Sequence, residues 1–327
     1  MKDTTLGRRA LLGAGLAASF PAMPALAAYP ERPLRWIVAY AAGGGTDTLA
    51  RLVGANLSQR LGQPVVIENR PGAATNIGAE AVAKSLPDGY TVFSADNGTL
   101  VFNTALFKRL PYDPVRDFRP VGLMARFPLF LAVNDKAQAG TAQALIARAR
   151  LAPGTIDCAT AGIGSPHHLA LERMAREAGV RFNHVPYRGA APAVTDLLAG
   201  TIPMMVLDYP SGVEHLRSGR IKALAVLSGR SLEDMPAVPT VEASLGLRGF
   251  EAYAWQGLVV PKATPDALVA QLTTALDTSM RDTAVRTKLQ QIGLEALTGG
   301  PVEFEALLER ERATWLPLIR DLSITLD

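Results

Sequence analysis

Three loops of this chain combine glycine and other small residues with hydroxyl, amide and carboxylate side chains. They span residues 43–47 (GGGTD), 70–76 (RPGAATN) and 96–99 (DNGT), and the first two run directly into stretches of helical periodicity. Glycine lets the backbone approach a ligand closely, and a helix N-terminus offers unpaired N–H groups and a partial positive charge. The loops therefore predict an anion-binding site, with Asn97 of the third loop among its residues.

The first loop does not match the signatures of nucleotide-binding proteins. With Gly43 and Gly45 as the first two glycines of a dinucleotide fingerprint, the third glycine position is occupied by Thr48, and no Gly-Lys-Ser/Thr ending of a P-loop follows. A tight turn, with Thr46 or Asp47 capping the helix, is the alternative to an anion site. No cofactor is predicted.

Residues 161–168 (AGIGSPHH) repeat this design in the second half of the chain. Ser165 is a typical N-cap and Pro166 fits the first helical position. The pattern around Ser165 is not Gly-x-Ser-x-Gly, so no nucleophile elbow is indicated. His168 and Glu172 have the spacing of two metal ligands on one helix face, but a surface pair is the favoured interpretation, and no metal site is predicted.

Two further residues carry potential chemistry. Asp208 follows an apolar run and could accept a hydrogen bond from a ligand, or could cap the turn at 210–211. Cys158 is the single cysteine, which excludes an intramolecular disulfide and a cysteine-rich zinc site. A small, buried hydrophobic side chain is the expected role of Cys158.

Strand-like and helix-like patterns alternate along the chain, which predicts an α/β fold with parallel sheets. Strands are predicted at 34–40, 64–69, 90–95, 156–160, 182–185, 202–207 and 221–227. Helices are predicted from Thr46 or Asp47 to Leu61, from Thr75 or Asn76 to Leu86, from Thr141 to Arg150, from Ser165 to Gly179, from Ala190 to Ala199, and after Pro265. The glycine-containing loops then follow the carboxyl ends of strands, where α/β sheets bind ligands.

Two apolar segments, 127–134 and 253–261, are placed to cross between two lobes. We expect domain one to comprise residues 28–130 and 255–327, and domain two residues 131–254. Two crossings form a hinge, and the cleft between the lobes is the expected ligand site.

Composition excludes several classes of protein. Of the 327 residues, 48% are hydrophobic and 19% are charged, which excludes intrinsic disorder. Lys2, Arg8 and Arg9 against Asp3 place +2 of the net +3 charge in the first 27 residues. The remainder is close to neutral and has no basic stripe, so nucleic acid is not an expected partner.

Residues 1–27 have the pattern of a secretory signal peptide. Arg8 and Arg9 precede an apolar run that is shorter than the roughly 20 residues of a membrane span, and Ala25-Leu26-Ala27 is a small-x-small cleavage pattern. The arginine pair is compatible with a twin-arginine signal, and general secretion is the alternative. The mature chain is therefore expected outside the cytoplasm.

The ordered series of motifs resembles the substrate-binding proteins of tripartite tricarboxylate transporters, the Bug family. The matching segments are 29–30 (YP), 32–33 (RP), 43–47, 65–72 (VVIENRPG), 76–80 (NIGAE), 87–91 (PDGYT), 164–166 (GSP), 168–169 (HL), 184–192 (HVPYRGAAP) and 224–226 (LAV). Together they cover nearly all of the mature chain. Each motif is weak alone, whereas the ordered series is specific.

The resemblance implies a type II periplasmic binding-protein fold and a monomeric periplasmic receptor. It implies a small organic carboxylate as ligand and a membrane permease as partner. The implied ligand contacts in domain one are Gly44, Gly45, Thr46, Asp47, Ala74 and Thr75, and those in domain two are Ser165, His168 and Asp208. Ala74-Thr75 departs from the Gly-Gly more usual in the family, which bears on ligand shape.

Three other functions remain open at this stage. A periplasmic sensor partner of a signalling system would have the same receptor chain. An exported enzyme would use the same cleft, but no nucleophile, base and acid converge in the sequence. A metal receptor is the most distant alternative.

Overall fold

The computed structural model describes residues 29–134, 137 and 139–326. The predicted signal peptide, residues 1–27, lies outside the described residues and stays a prediction. The strands are β1 (Leu34–Val38), β2 (Val65–Asn69), β3 (Thr91–Asp96), β4 (Phe118–Val133), β5 (Asp157–Thr160), β6 (Asn183–Pro186), β7 (Met204–Asp208), β8 (Lys222–Val226), β9 (Tyr253–Pro261) and β10 (Glu295–Ala296).

Helices alternate with these strands along most of the chain. They are α1 (Gly45–Leu61), α2 (Asn76–Ala83), α3 (Asn103–Leu106), α4 (Ala142–Leu151), α5 (Pro166–Ala178), α6 (Ala190–Ala199), α7 (Tyr209–Arg217), α8 (Val241–Leu245), α9 (Asp266–Arg281), α10 (Thr283–Gln291) and α11 (Pro301–Asp321). A 3₁₀ turn at Ala73–Thr75 precedes α2, and a π-helical segment at Gly98–Phe102 follows β3.

The strand order is β2-β1-β3-β9-β4-β7-β5-β6, with β10 and β8 also paired to β4. Strand β1 pairs in parallel with both β2 and β3, as the predicted βαβαβ unit requires. Strand β5 pairs in parallel with β6 and β7 in the same way. The loops after β1, β2 and β3 therefore leave the sheet at the same edge, and so do those after β5 and β7.

Strand β4 connects the two lobes. From Phe118 to Pro128 it pairs with β9, whereas from Leu129 to Val133 it pairs with β7 and β8. The sequence predicted a crossing segment at 127–134 but not the strand residues before it. The observed change of partner lies near the expected division into 28–130 with 255–327 and 131–254, which stays a prediction.

Ion pairs around the buried Arg126 link the crossing segments. Arg126 of β4 is 7% exposed, pairs with Glu251 just before β9, and lies 3.4 Å from Glu295 of β10. Arg230 of the second lobe also contacts Glu295, at 2.8 Å. The Arg126 guanidinium stacks 4.0 Å over the Tyr253 ring, so the hinge is tied to both lobes through charged groups.

The glycine and proline residues at the ends of helical patterns predict most helix C-termini correctly. The predicted glycine stops Gly62, Gly179 and Gly200 have left-handed φ values of 68°, 65° and 73°, which glycine adopts without a Cβ penalty. The predicted end of the second helix at Leu86 is wrong, because α2 ends at Ala83. Pro87 disfavours helical geometry at the residue before it, and the chain leaves the helix one turn earlier. No helix of the described residues has the length and hydropathy of a membrane span.

Candidate ligand site between the lobes

The N-terminus of α1 has no side-chain cap. Gly44 is the N-cap residue, with φ −77° and ψ 170°, and its carbonyl oxygen accepts from the Thr48 N–H at 2.9 Å. The alternative interpretation, in which Thr46 or Asp47 caps this helix, is therefore wrong. The first N–H groups of α1 are left available to an anion, as its macrodipole favours.

Asp47 shapes the glycine loop instead of capping the helix. Its carboxylate accepts from the Gly43 N–H at 2.8 Å, from Arg51 Nε at 2.9 Å and from Asn69 Nδ2 at 2.9 Å. Burial alone would raise the pKa of Asp47, but the hydrogen bonds from Arg51, Gly43 and Asn69 outweigh it and lower the pKa. The loop is thus held by an ionised carboxylate, and Asp47 can offer a ligand only its backbone N–H.

The second loop has an unusual backbone. Ala73, Ala74 and Thr75 all have positive φ values, of 46°, 48° and 76°. Each such non-glycine residue costs about 1–2 kcal/mol. The Asn103 side chain donates to the Ala74 carbonyl at 2.8 Å, and the Thr75 and Thr99 hydroxyls lie 2.8 Å apart. These contacts hold the strained loop, so the Thr75 hydroxyl does not cap α2.

Asn97 lies outside the candidate site. Its side chain is fully buried, donates to the Tyr253 carbonyl at 3.0 Å and to Glu311 at 3.1 Å, and accepts from the Trp255 N–H at 3.2 Å. All its polar groups therefore face the crossing segment and α11. These partners, from distant parts of the chain, argue against the predicted ligand contact of Asn97, which stays untested.

In the second lobe, Ser165 caps α5 as predicted. Its Oγ accepts from the His168 N–H at 3.3 Å and donates to the Gly162 carbonyl at 2.7 Å. His168 is only 6% exposed, its Nδ1 accepts from the Gly164 N–H at 3.1 Å, and its ring stacks on His184 at 3.8 Å. His168 therefore supports the loop before α5 rather than projecting from it.

His168 and Glu172 do pair, with Nε2 3.7 Å from the carboxylate, but His168 is buried, so the expected location of this pair at the surface is wrong. No group of three potential metal ligands occurs among the described residues. Burial and the nearby His168 lower the pKa of His184 to about 4. Cys158 is fully buried and free, as expected.

Asp208 caps α7, one of the two roles predicted for it. Its carboxylate accepts from the Ser211 N–H at 3.1 Å and from the Ser211 hydroxyl at 2.6 Å. The other oxygen lies 2.9 Å from Nε2 of His167. Burial would raise the pKa of Asp208, but the His167 and Ser211 hydrogen bonds outweigh it and lower the pKa.

The two lobes touch where these helices begin. A Cβ placed on Gly45 would lie 3.0 Å from Cε1 of Phe127 and 3.6 Å from Cβ of Pro210, in the first turn of α7. A Cβ on Gly164 would lie 2.6 Å from the Leu106 side chain of domain one. The first turns of α1 and α7 therefore lie against each other.

Sequence reasoning missed two buried polar residues beside this cleft. Gln256 of β9 donates to Thr46 Oγ1 at 3.2 Å, and its Oε1 has no partner among the described residues. Nδ1 of His167 likewise has no partner there. The adjacent residues His167 and His168 were the sequence signal for this position, but only His168 was predicted to contact the ligand. Three open surface depressions are lined by other residues and include none of the predicted contacts.

Comparison with known proteins decides the family. The model of the tripartite tricarboxylate transporter family receptor matches residues 49–324. The chain belongs to this receptor family. The predicted family and the α/β periplasmic binding-protein fold are thereby confirmed.

Several relatives match this receptor over almost its full length in sequence or structure. BugT of Bordetella pertussis is 35% identical over 314 residues, covering 95% of this chain and 96% of BugT. A Rhodopseudomonas palustris protein solved with adipate is 33% identical, with a TM-score of 0.83, covering 89% of this chain and 97% of that one. MatC from the same organism, solved with malate, is 32% identical with a TM-score of 0.80, covering 89% and 100%. This receptor is a periplasmic solute-binding protein and not an enzyme.

Proposed function

We propose that this receptor captures a small organic dicarboxylate by closing its two lobes, and delivers it to the membrane permease of a tripartite tricarboxylate-type transporter. The uncapped N-terminus of α1, which lies against the first turn of α7, carries this proposal. The backbone N–H groups of Gly45, Thr46 and Asp47 hold one carboxylate, and the loop at Ala74 and Thr75 borders it. Relatives solved with adipate and malate support a dicarboxylate as the class of ligand.

The energetics are sufficient without an arginine in the cleft. Each hydrogen bond from an amide to a carboxylate contributes about 1.5–3 kcal/mol. Two or three of them supply about 3–9 kcal/mol, and contacts to the rest of the ligand add to this against the costs of desolvation and lost freedom, which brings micromolar affinity, about −8 kcal/mol, within reach. Oriented backbone dipoles at the helix N-terminus take the place of a positively charged side chain.

Closure follows from contacts that only the closed form offers. Pro210 in the first turn of α7 approaches Gly45 closely, so a ligand at α1 contacts the second lobe when the lobes meet. A ligand shifts the equilibrium toward closure only by its extra affinity for the closed state. Because β4 continues from one lobe into the other and the chain returns just before β9, this motion is a bend at the crossing segments.

Isothermal titration calorimetry of the purified mature protein against a panel of acids tests the proposal. The panel contains succinate, malate, glutarate, adipate, citrate, benzoate and aspartate. We expect micromolar binding of at least one dicarboxylate, and a decrease in the radius of gyration on binding, measured by small-angle X-ray scattering. Binding of benzoate alone, or of no acid on the panel, would contradict the proposal.

Delivery to a permease is tested separately by uptake of the bound acid. A strain lacking this receptor should lose uptake and regain it when the receptor is restored. A strain that keeps full uptake would refute transport while leaving binding intact.

A further inference from the structure

His167 lies where the two N-terminal turns of the second lobe meet. It is in the first turn of α5, after the Ser165 cap, and its Nε2 lies 2.9 Å from the Asp208 carboxylate that caps α7. Both turns reach the other lobe, since Pro210 approaches Gly45 and the loop before α5 approaches Leu106. His167 therefore links the two turns of the second lobe that lie against the first lobe, beside the proposed ligand site.

The Asp208 carboxylate determines which nitrogen of His167 carries a proton. Asp208 also accepts two hydrogen bonds from Ser211, and an ionised carboxylate has no proton to donate. Nε2 must therefore carry a proton and donate it to Asp208. In the neutral imidazole, this leaves Nδ1 as a hydrogen-bond acceptor.

That acceptor is buried and unused within the described residues. His167 is 8% exposed, and no described polar group lies within hydrogen-bond distance of Nδ1. Leaving the buried acceptor of a neutral imidazole unpaired is costly, so the group that we infer to pair with Nδ1 is a donor. A second carboxylate of the ligand cannot donate when ionised, and at this place it would also lie close to the Asp208 charge.

A hydroxyl group on the ligand meets these requirements. It donates to Nδ1, adds no charge next to Asp208, and distinguishes hydroxylated acids from their plain counterparts. A site built to pair a ligand hydroxyl discriminates against the analogue that lacks it, because its own polar group is then left unpaired.

We propose that Nδ1 of His167 accepts a hydrogen bond from a ligand hydroxyl, so that this receptor prefers 2-hydroxy dicarboxylates over the unsubstituted acids. The inference rests on the proposed function, since it assigns a substituent of the ligand in the same cleft. It names a selecting residue that differs from His168, whose Nδ1 is already paired with Gly164.

The test compares acids that differ by one hydroxyl: malate with succinate, 2-hydroxyglutarate with glutarate, and 2-hydroxyadipate with adipate. Their dissociation constants are measured by calorimetry for the wild-type protein and two variants. His167→Gln places an amide near Nε2, so it keeps a donor to Asp208 and removes the acceptor at Nδ1. His167→Asn places its amide near Nδ1 and gives up the bond to Asp208.

In the pair that binds best, the wild-type protein should favour the hydroxylated acid by roughly 3- to 10-fold, the worth of one neutral hydrogen bond. His167→Gln should abolish this preference while retaining the affinity for the plain acid, and His167→Asn should retain part of it. His215→Gln, on the opposite end of α7, should leave the preference unchanged, and thermal unfolding verifies that each variant is folded.

Three results separate the possible failures. If the wild-type protein binds none of the six acids, the proposed function fails together with this inference. If it binds them without preferring the hydroxylated member, or if folded His167→Gln keeps the preference, only the assignment of His167 is overturned. If His167→Gln weakens both members of a pair equally, Nδ1 contacts a group that both acids share, and the hydroxyl assignment is likewise refuted.

Discussion

Replacement of Gly44 by valine tests whether the N-terminus of α1 binds the ligand, because it should weaken binding without disturbing the fold. The backbone of Gly44, at φ −77° and ψ 170°, is an extended conformation that valine adopts readily. A Cβ there would meet only the Ala41 carbonyl oxygen, at 3.6 Å, which is an ordinary contact. Gly43 has φ +84° and Gly45 lies against Phe127, so neither neighbour offers a comparable substitution.

The expected effect on stability is small, and the expected effect on affinity is large. Valine is a poorer N-cap than glycine but reduces the freedom of the unfolded chain, and the two effects leave stability within about 1 kcal/mol of wild type. A β-branched side chain at the N-cap covers the amides behind it. Loss of two charge-assisted hydrogen bonds, about 3–6 kcal/mol, weakens carboxylate binding roughly 10²- to 10⁴-fold.

Calorimetry with the best-binding dicarboxylate measures the affinity, and urea denaturation measures the stability. Thr48→Val is the matched control, because Thr48 is exposed in the same turn and its N–H is already paired with the Gly44 carbonyl. It should bind like the wild-type protein. A folded Gly44→Val protein with wild-type affinity would show that the carboxylate does not bind at the N-terminus of α1.

Three further substitutions test the structural roles assigned above. Asn97→Ala should lower the free energy of unfolding by about 2–4 kcal/mol in urea denaturation, since it leaves buried partners unpaired, but should not change ligand affinity. Ala74→Gly should raise stability by up to about 1 kcal/mol, because it removes a Cβ from a left-handed conformation. His184→Gln should reduce the pH dependence of stability between pH 6.5 and about 4. The folded state resists protonation of His184 there while the unfolded state does not, so wild-type stability is full above pH 6.5 and falls as the pH decreases.

Two of these substitutions have a control on the same chain. Ala81→Gly, inside α2, should destabilise the protein by about 1 kcal/mol, opposite in sign to Ala74→Gly. His215→Gln should leave the slope of stability against pH as in the wild type. A loss of affinity in folded Asn97→Ala, a destabilised Ala74→Gly, or an unchanged slope in His184→Gln would each contradict the corresponding assignment.

The sequence by itself predicts the local structure of this receptor well. Helix α6 runs from Ala190 to Ala199 as predicted, and Thr141, Ser165 and Pro166 mark helix starts that the structure confirms. These signals are local: a hydroxyl accepts from a nearby N–H within one turn, and a glycine takes a left-handed φ at the helix end. The parallel order of β1, β2 and β3 follows from the alternation of strands and helices.

The sequence is less informative where a side chain has a choice of partners. Asp47 has the residue type and position of a helix cap, but Arg51 and Asn69 compete for its carboxylate. Asp208 had two open roles, and the cap of α7 is the one that the structure shows. Neighbouring residues on a helix point in different directions, so His167 and His168 differ in role although their sequence signals are the same.

What the sequence determined is the alternation of elements, most helix ends, and the family to which the chain belongs. Hydrophobic periodicity, capping residues and motif order are all properties of neighbouring residues. Only the tertiary structure decided that β4 serves both lobes, that Asn97 faces Tyr253 across 156 residues of chain, and that His167 reaches Asp208. Those contacts depend on the register of distant strands and on the packing of distant helices, which no local pattern encodes.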